Sequence, residues 1–101
     1  MKSEEHKQYL SKLFDTADDY IHKIEKGISN KKEYAKVTTS LRHTAEQIYN
    51  VLIYYVSKKA EKEIKKGVIQ IHRLSKDFKR LDNSFLAKEI RKEFDKFKKI
   101  L

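Results

Sequence analysis

The side chains in this 101-residue chain that could do chemistry are few, and their spacing excludes most of it. His6, His22, His43 and His72 are the only histidines. A helical zinc hydrolase needs two histidines at i and i+4 with a glutamate between them, and no pair here has that spacing. A metal site would have to be assembled between helices. Cysteine is absent, so disulfides and thiolate metal sites are excluded. Asp18 and Asp19 are adjacent. On a helix adjacent side chains diverge, so the two carboxyls cannot share a proton and read as a solvated face. There is no glycine-rich phosphate loop and no nucleophile elbow, and two glycines in all leave little material for either. The expectation is a chain that is not an enzyme and takes no cofactor. His22 and His43 read as amphipathic residues at helix boundaries, and His72, between Ile71 and Leu74, as the edge of a core.

The chemistry that is present is cationic. Lys and Arg number 24 against 15 Asp and Glu. Residues 1–50 hold nine bases and eight acids, whereas residues 51–101 hold fifteen and seven. A folded module with one neutral half and one basic half presents a positive face, which attracts phosphate, anionic lipid or an acidic partner. Lys58, Lys62, Lys65 and Lys66 recur at helical spacing away from the apolar positions, with Tyr54 at their head. Arg73, Lys76, Lys79 and Arg80 form a second cluster, and Lys88, Arg91 and Lys92 a third. Lysine-dominated arrays of this kind contact phosphates as point charges and read no bases. The same residues, interleaved with Glu61, Glu63, Glu89 and Glu93, also suit a merely solubilising surface. Tyr49, Tyr54 and Tyr55 have two readings as well: stacking on unpaired bases, or lining a helix contact with the hydroxyl at its edge.

These groups must be positioned by helices. Proline is absent and charged and hydrophobic residues each make up 39%, which suits long amphipathic helices and denies a sheet its turn residues. Leu10, Leu13, Phe14, Ala17, Ile21 and Ile24 make one apolar stripe, so the first helix is predicted over Ser3–Lys26, with Gly27 just past its end. Asn30 and Glu33 form a start of the capping-box type. Thr38, Thr39 and Ser40 predict a restart or kink. From Leu41 the positions Ala45, Ile48, Leu52, Val56, Ala60 and Ile64 continue at threes and fours. They predict one long central helix of roughly 40 Å, closed by Lys65, Lys66 and Gly67. Val68, Ile71, Leu74, Phe78 and Leu81 predict a third helix, Asp82, Asn83 and Ser84 a turn, and Leu86, Ile90, Phe94, Phe97 and Leu101 a fourth. The fold class is all-α: one domain over residues 1–101, an antiparallel four-helix bundle with a long central helix. The segment Met1–His6 has no apolar core of a secretory signal, and the longest apolar run, Val51–Val56, is far below the ~20 residues of a membrane span. No transmembrane segment and a cytoplasmic location are expected. Tyr9, Tyr54 and Phe85 fall off the main stripes, which predicts exposed apolar surface and self-association.

The stretch Lys36-Val37-Thr38-Thr39-Ser40-Leu41-Arg42-His43-Thr44-Ala45-Glu46-Gln47-Ile48 resembles the small helical subunit of type III-A CRISPR effector complexes, which serve antiviral defence. Thr38 and Thr39 match that family's Thr/Ser pair, Leu41 its apolar position and Arg42 its basic one. Lys76-Asp77-Phe78-Lys79-Arg80-Leu81 loosely resembles its last helix entry. About a fifth of the chain is covered. The resemblance implies a non-catalytic bundle whose copies stack along the complex and contact the guide–target duplex through basic residues, Arg42 first among them. Leu41–Gln47 with Ile71-His72-Arg73-Leu74 also looks like the four-helix domains of toxin–antitoxin pairs. Their RNase motif places a His five to seven residues after an Arg, and no Arg here has one. Bacteriocin immunity proteins are similar in size, charge and architecture only.

The expected function is therefore a non-catalytic subunit that binds RNA backbone, or another polyanion, together with protein subunits of a larger ribonucleoprotein complex. Lys58, Lys62, Lys65, Arg73, Lys76 and Arg80 would neutralise phosphates, and Arg42 would orient on or near the strand. The alternative is an immunity protein or other protein-binding bundle, such as a toxin–antitoxin partner.

Overall fold

The leucine and isoleucine stripe of the first segment winds into α1, Lys2–Lys26, with Glu4 and Glu5 at its positive end and Lys23 and Lys26 at its negative end. Gly27 takes φ 97°, the left-handed position that stops the helix, and its N–H returns to the Ile24 carbonyl at 3.1 Å. Both features follow the prediction. Asn30 then opens α2, Lys31–Leu52, its side-chain oxygen accepting the N–H groups of Lys32 at 2.8 Å and Glu33 at 3.3 Å. The computed structural model describes residues 2–76 and 83–100, and adds α3, Lys58–Leu74, and α4, Ser84–Ile100. No strand is present among the described residues.

Three boundaries differ from expectation. The first is at Thr38–Ser40, where α2 runs on without a restart. Thr38 donates its hydroxyl to the Tyr34 carbonyl at 3.0 Å and Thr44 donates to that of Ser40 at 2.9 Å. The Thr38 hydroxyl bonds back one turn within the helix and the Thr39 hydroxyl accepts from Arg42 Nη2 at 3.2 Å, so both are used without a new start.

The second is the predicted long helix from Leu41 to Lys66, which is broken at Ile53–Ser57. Tyr54 N–H and Tyr55 N–H close tight turns onto Val51 and Leu52 at 3.2 and 2.9 Å. Ser57 then adopts extended backbone and caps α3 by accepting the Ala60 N–H at 3.2 Å. The break lets α3 fold back on α2. Tyr49 reaches Glu61 at 3.2 Å and Arg42 reaches His72 at 2.8 Å; in one unbroken helix residues 49 and 61 would stand about 18 Å apart.

Gly67, expected to end a helix, lies inside α3. A methyl group there would stand 2.5 Å from Cε1 of Phe97, so the missing side chain is what seats α4 against α3. The remainder of the predicted third helix, including Phe78 and Leu81, lies outside the described residues.

The helices form a closed ring: α1 packs on α2 and α4, and α3 packs on the same two. Extents of 44 × 24 × 18 Å fit two helices by two at the usual 8–10 Å spacing. Leu13, Ala17, Ile21 and Ile24 of α1, Leu41, Ala45, Ile48 and Leu52 of α2, Ile64 and Ile71 of α3, and Leu86, Ile90, Phe94 and Phe97 of α4 are buried in one core. Buried Tyr34 donates its hydroxyl across it to the Ser75 carbonyl at 3.0 Å. No described helix is long and apolar enough to cross a membrane.

Candidate nucleic-acid interface

Because Gly67 does not interrupt α3, lysines expected at the end of one helix and the arginine expected on the next share a single helix. At about 100° per residue, Lys58, Lys62, Lys65, Lys66, Ile69 and Arg73 fall within an arc of roughly 100°. All six are exposed, and Ile64, Gly67 and Ile71 on the opposite side are buried. Lys76 extends the row two residues past the helix end, its N–H bonded to the Arg73 carbonyl at 3.1 Å. Ring packing places α3 diagonally across from α1, so this face looks to solvent.

Ion pairing is heavier on α4 than on α3, although Lys88 and Lys99 of α4 are exposed and make no ion pair with a described residue. On α4, Lys92 pairs with Glu89 at 3.0 Å and Lys96 with Glu93 at 3.3 Å. Arg91 bonds Asp18 and lies 3.9 Å from Glu25, so it ties α4 to α1. On α3 only Lys66 is paired, with Glu63 at 3.4 Å. Lys58, Lys62, Lys65, Arg73 and Lys76 make no ion pair with any described residue. Their charge is free to act outward, where exposed pairs such as those on α4 present little net field. Glu61 and Glu63 border the row on its two sides, Glu61 held by the Tyr49 hydroxyl. The positive strip is therefore one helix wide.

Arg42 is placed differently from the lysines. It is half-buried at the seam between α2 and α3, with Nη1 donating to His72 Nδ1 at 2.8 Å and Nη2 to Thr39 Oγ1 at 3.2 Å. Its Nε is buried without a partner. His72 is exposed rather than at the core edge, because the helical step that buries Ile71 turns its neighbour to the seam. Arg80 lies outside the described residues, as does Lys79.

Between α3 and α4 runs a groove of about 590 Å³ lined by Lys66, Ile69, Gln70, Arg73, Lys96 and Phe97 among others. Ile69 was missed by sequence reasoning, although Val68 and Ile69 are adjacent apolar residues and a helix cannot bury both at full depth. No group of three His, Cys, Asp or Glu among the described residues is arranged to hold a metal ion.

Tyr49, half-buried on α2, has its phenol held above the ordinary value of 10.0, first by partial burial and then by the hydrogen bond and charge of Glu61. His6 bonds the Tyr55 hydroxyl, with the two rings edge to face at 5.3 Å. Tyr54, between these two anchored tyrosines, makes no such bond and is 78% exposed.

No protein-family model, no curated protein and no solved structure matches this chain.

Proposed function

We propose that this protein is a non-catalytic helical subunit that binds the phosphate backbone of RNA within a larger ribonucleoprotein complex in the cytoplasm. The observation that carries the reading is the outward face of α3, where Lys58, Lys62, Lys65, Arg73 and Lys76 are exposed in one row without acidic partners. A row of point charges on a straight helix suits backbone contact and supplies no bidentate fork for base edges beyond Arg73. The resemblance of Lys36–Ile48 to the small subunit of type III-A CRISPR complexes supplies the setting, and in that setting Arg42 acts from the seam beneath the row. The bundle is read as antiparallel: residue 42 meets 72 and 49 meets 61, while 14 meets 98 and 18 meets 91.

Titration of a labelled RNA at increasing salt tests this directly. Five phosphate contacts on a single strand predict a log–log slope of about −3.5. No binding at low salt, or affinity flat in salt, removes the proposal.

A second reading, a protein-binding bundle such as an immunity protein or toxin–antitoxin partner, is favoured by two exposed apolar side chains, Phe85 at the start of α4 and Ile69 on α3. It predicts capture of a protein partner that survives charge reversal at Lys62 and Lys76.

A further inference from the structure

We infer that the α3 face takes one unpaired RNA strand, with a base stacked on Tyr54, rather than a duplex. This rests on the backbone-binding reading above and narrows it.

The width of the positive strip argues for one strand. Its cations sit within a single helix face, bordered by Glu61 toward α2 and Glu63 toward α4. Across the groove, Lys96 is already paired with Glu93 of its own helix. Gripping a duplex means contacting phosphates of two strands on either side of a groove. Here carboxylates stand at both edges of the strip, where the phosphates of a second strand would have to approach. One backbone can lie along the row without meeting them.

The length and ends of the strip argue for exposed bases. From Lys58 to Arg73 the helix rises about 23 Å, room for at most roughly seven nucleotides at the stacked rise of ~3.4 Å. At its head, in the turn that feeds α3, stands Tyr54. It lies four residues before Lys58, hence within about 14 Å of chain. Its neighbours Tyr49 and Tyr55 are held by Glu61 and His6, whereas the Tyr54 ring is 78% exposed with no internal partner. Midway along the row Ile69 is 46% exposed, an apolar step between cations. Cations along a backbone with flat or apolar surfaces for bases is the pattern of single-strand binding. A paired base has no face to offer Tyr54 except at a duplex end.

The test uses the full chain and fluorescence anisotropy with two probes, an oligouridine of about twelve nucleotides and an RNA duplex of the same length, both longer than the strip. The wild type is expected to bind the single strand more tightly. Tyr54→Ala is expected to weaken single-strand binding about ten-fold and leave its salt slope unchanged, while Tyr54→Phe retains affinity. Lys62→Glu with Arg73→Glu is expected to weaken binding of both probes by at least ten-fold at low salt. If Tyr54→Ala binds the single strand like wild type, or the duplex binds as tightly as the single strand, the inference is overturned while the backbone reading stands. If neither probe binds at low salt, the backbone reading fails first. Circular dichroism of each variant confirms the helices are intact.

Discussion

Gly67 and Phe97 are packed so closely that a Cβ on the glycine would lie 2.5 Å from Cε1 and 2.9 Å from Cζ of the ring. Phe97 is 1% exposed and meets Phe94 edge to face at 5.7 Å, so the ring has nowhere to swing. In an open helix Gly→Ala stabilises by about 1 kcal/mol. Here the overpacking penalty of about 1–3 kcal/mol opposes it and wins. We expect Gly67→Ala to lower the melting temperature by roughly 5 °C. Adding Phe97→Leu should recover part of that loss, giving a non-additive double-mutant cycle. A raised melting temperature for Gly67→Ala would refute the close packing of α3 on α4.

The free row on α3 and the paired Lys92 and Lys96 on α4 should behave differently toward RNA. Lys62→Glu with Arg73→Glu should reduce affinity at low salt by at least ten-fold and flatten the single-strand salt slope by about 0.7 unit per lost contact. Lys92→Glu with Lys96→Glu changes the net charge equally but disturbs pairs already satisfied by Glu89 and Glu93. Its effect on affinity should be several-fold smaller. Equal effects would mean that net charge, rather than the α3 face, governs binding.

What was legible in the sequence is local. Gly27 and Asn30 act through neighbours within a few residues, and their cap geometry follows from their own chemistry. The stripe Leu86, Ile90, Phe94, Phe97 is buried as its spacing requires. What was not legible depends on distant partners. Leu52, Val56, Ala60 and Ile64 keep helical spacing straight across a turn, so periodicity alone reads through it; Ser57 was the one local sign of a new helix. Gly67 after two lysines imitates a helix end, and only Phe97, thirty residues on, reveals its purpose. The cationic residue types of the candidate site were visible, but their union on one face waited on those two corrections. The Arg42–His72 contact likewise joins residues thirty positions apart.

Arg42 offers only donors, so its 2.8 Å contact requires His72 Nδ1 to accept. Glutamine at position 42 is too short to hold both Thr39 and His72. Arg42→Gln should lower the urea midpoint by the equivalent of about 1 kcal/mol, the usual net worth of a hydrogen bond. RNA affinity should fall less than in Arg73→Gln. Lost binding with unchanged stability would instead make Arg42 a direct RNA contact, as the resemblance to CRISPR small subunits implies.

Tyr49 joins α2 to α3 through the Glu61 carboxylate at 3.2 Å, and the bond exists only while the phenol keeps its proton. The folded value is raised above 10.0, by partial burial first and Glu61 second. The folded state therefore holds this proton more tightly than the unfolded chain does. Its contribution is complete below pH about 10 and is lost as pH rises through the higher folded value. In an alkaline titration followed by tyrosinate absorbance, Tyr49→Phe should remove a late-titrating component. Urea midpoints should fall above pH about 10 in wild type and fall less in Tyr49→Phe. Identical pH profiles for the two proteins would show that the Tyr49–Glu61 bond does not hold α3 against α2.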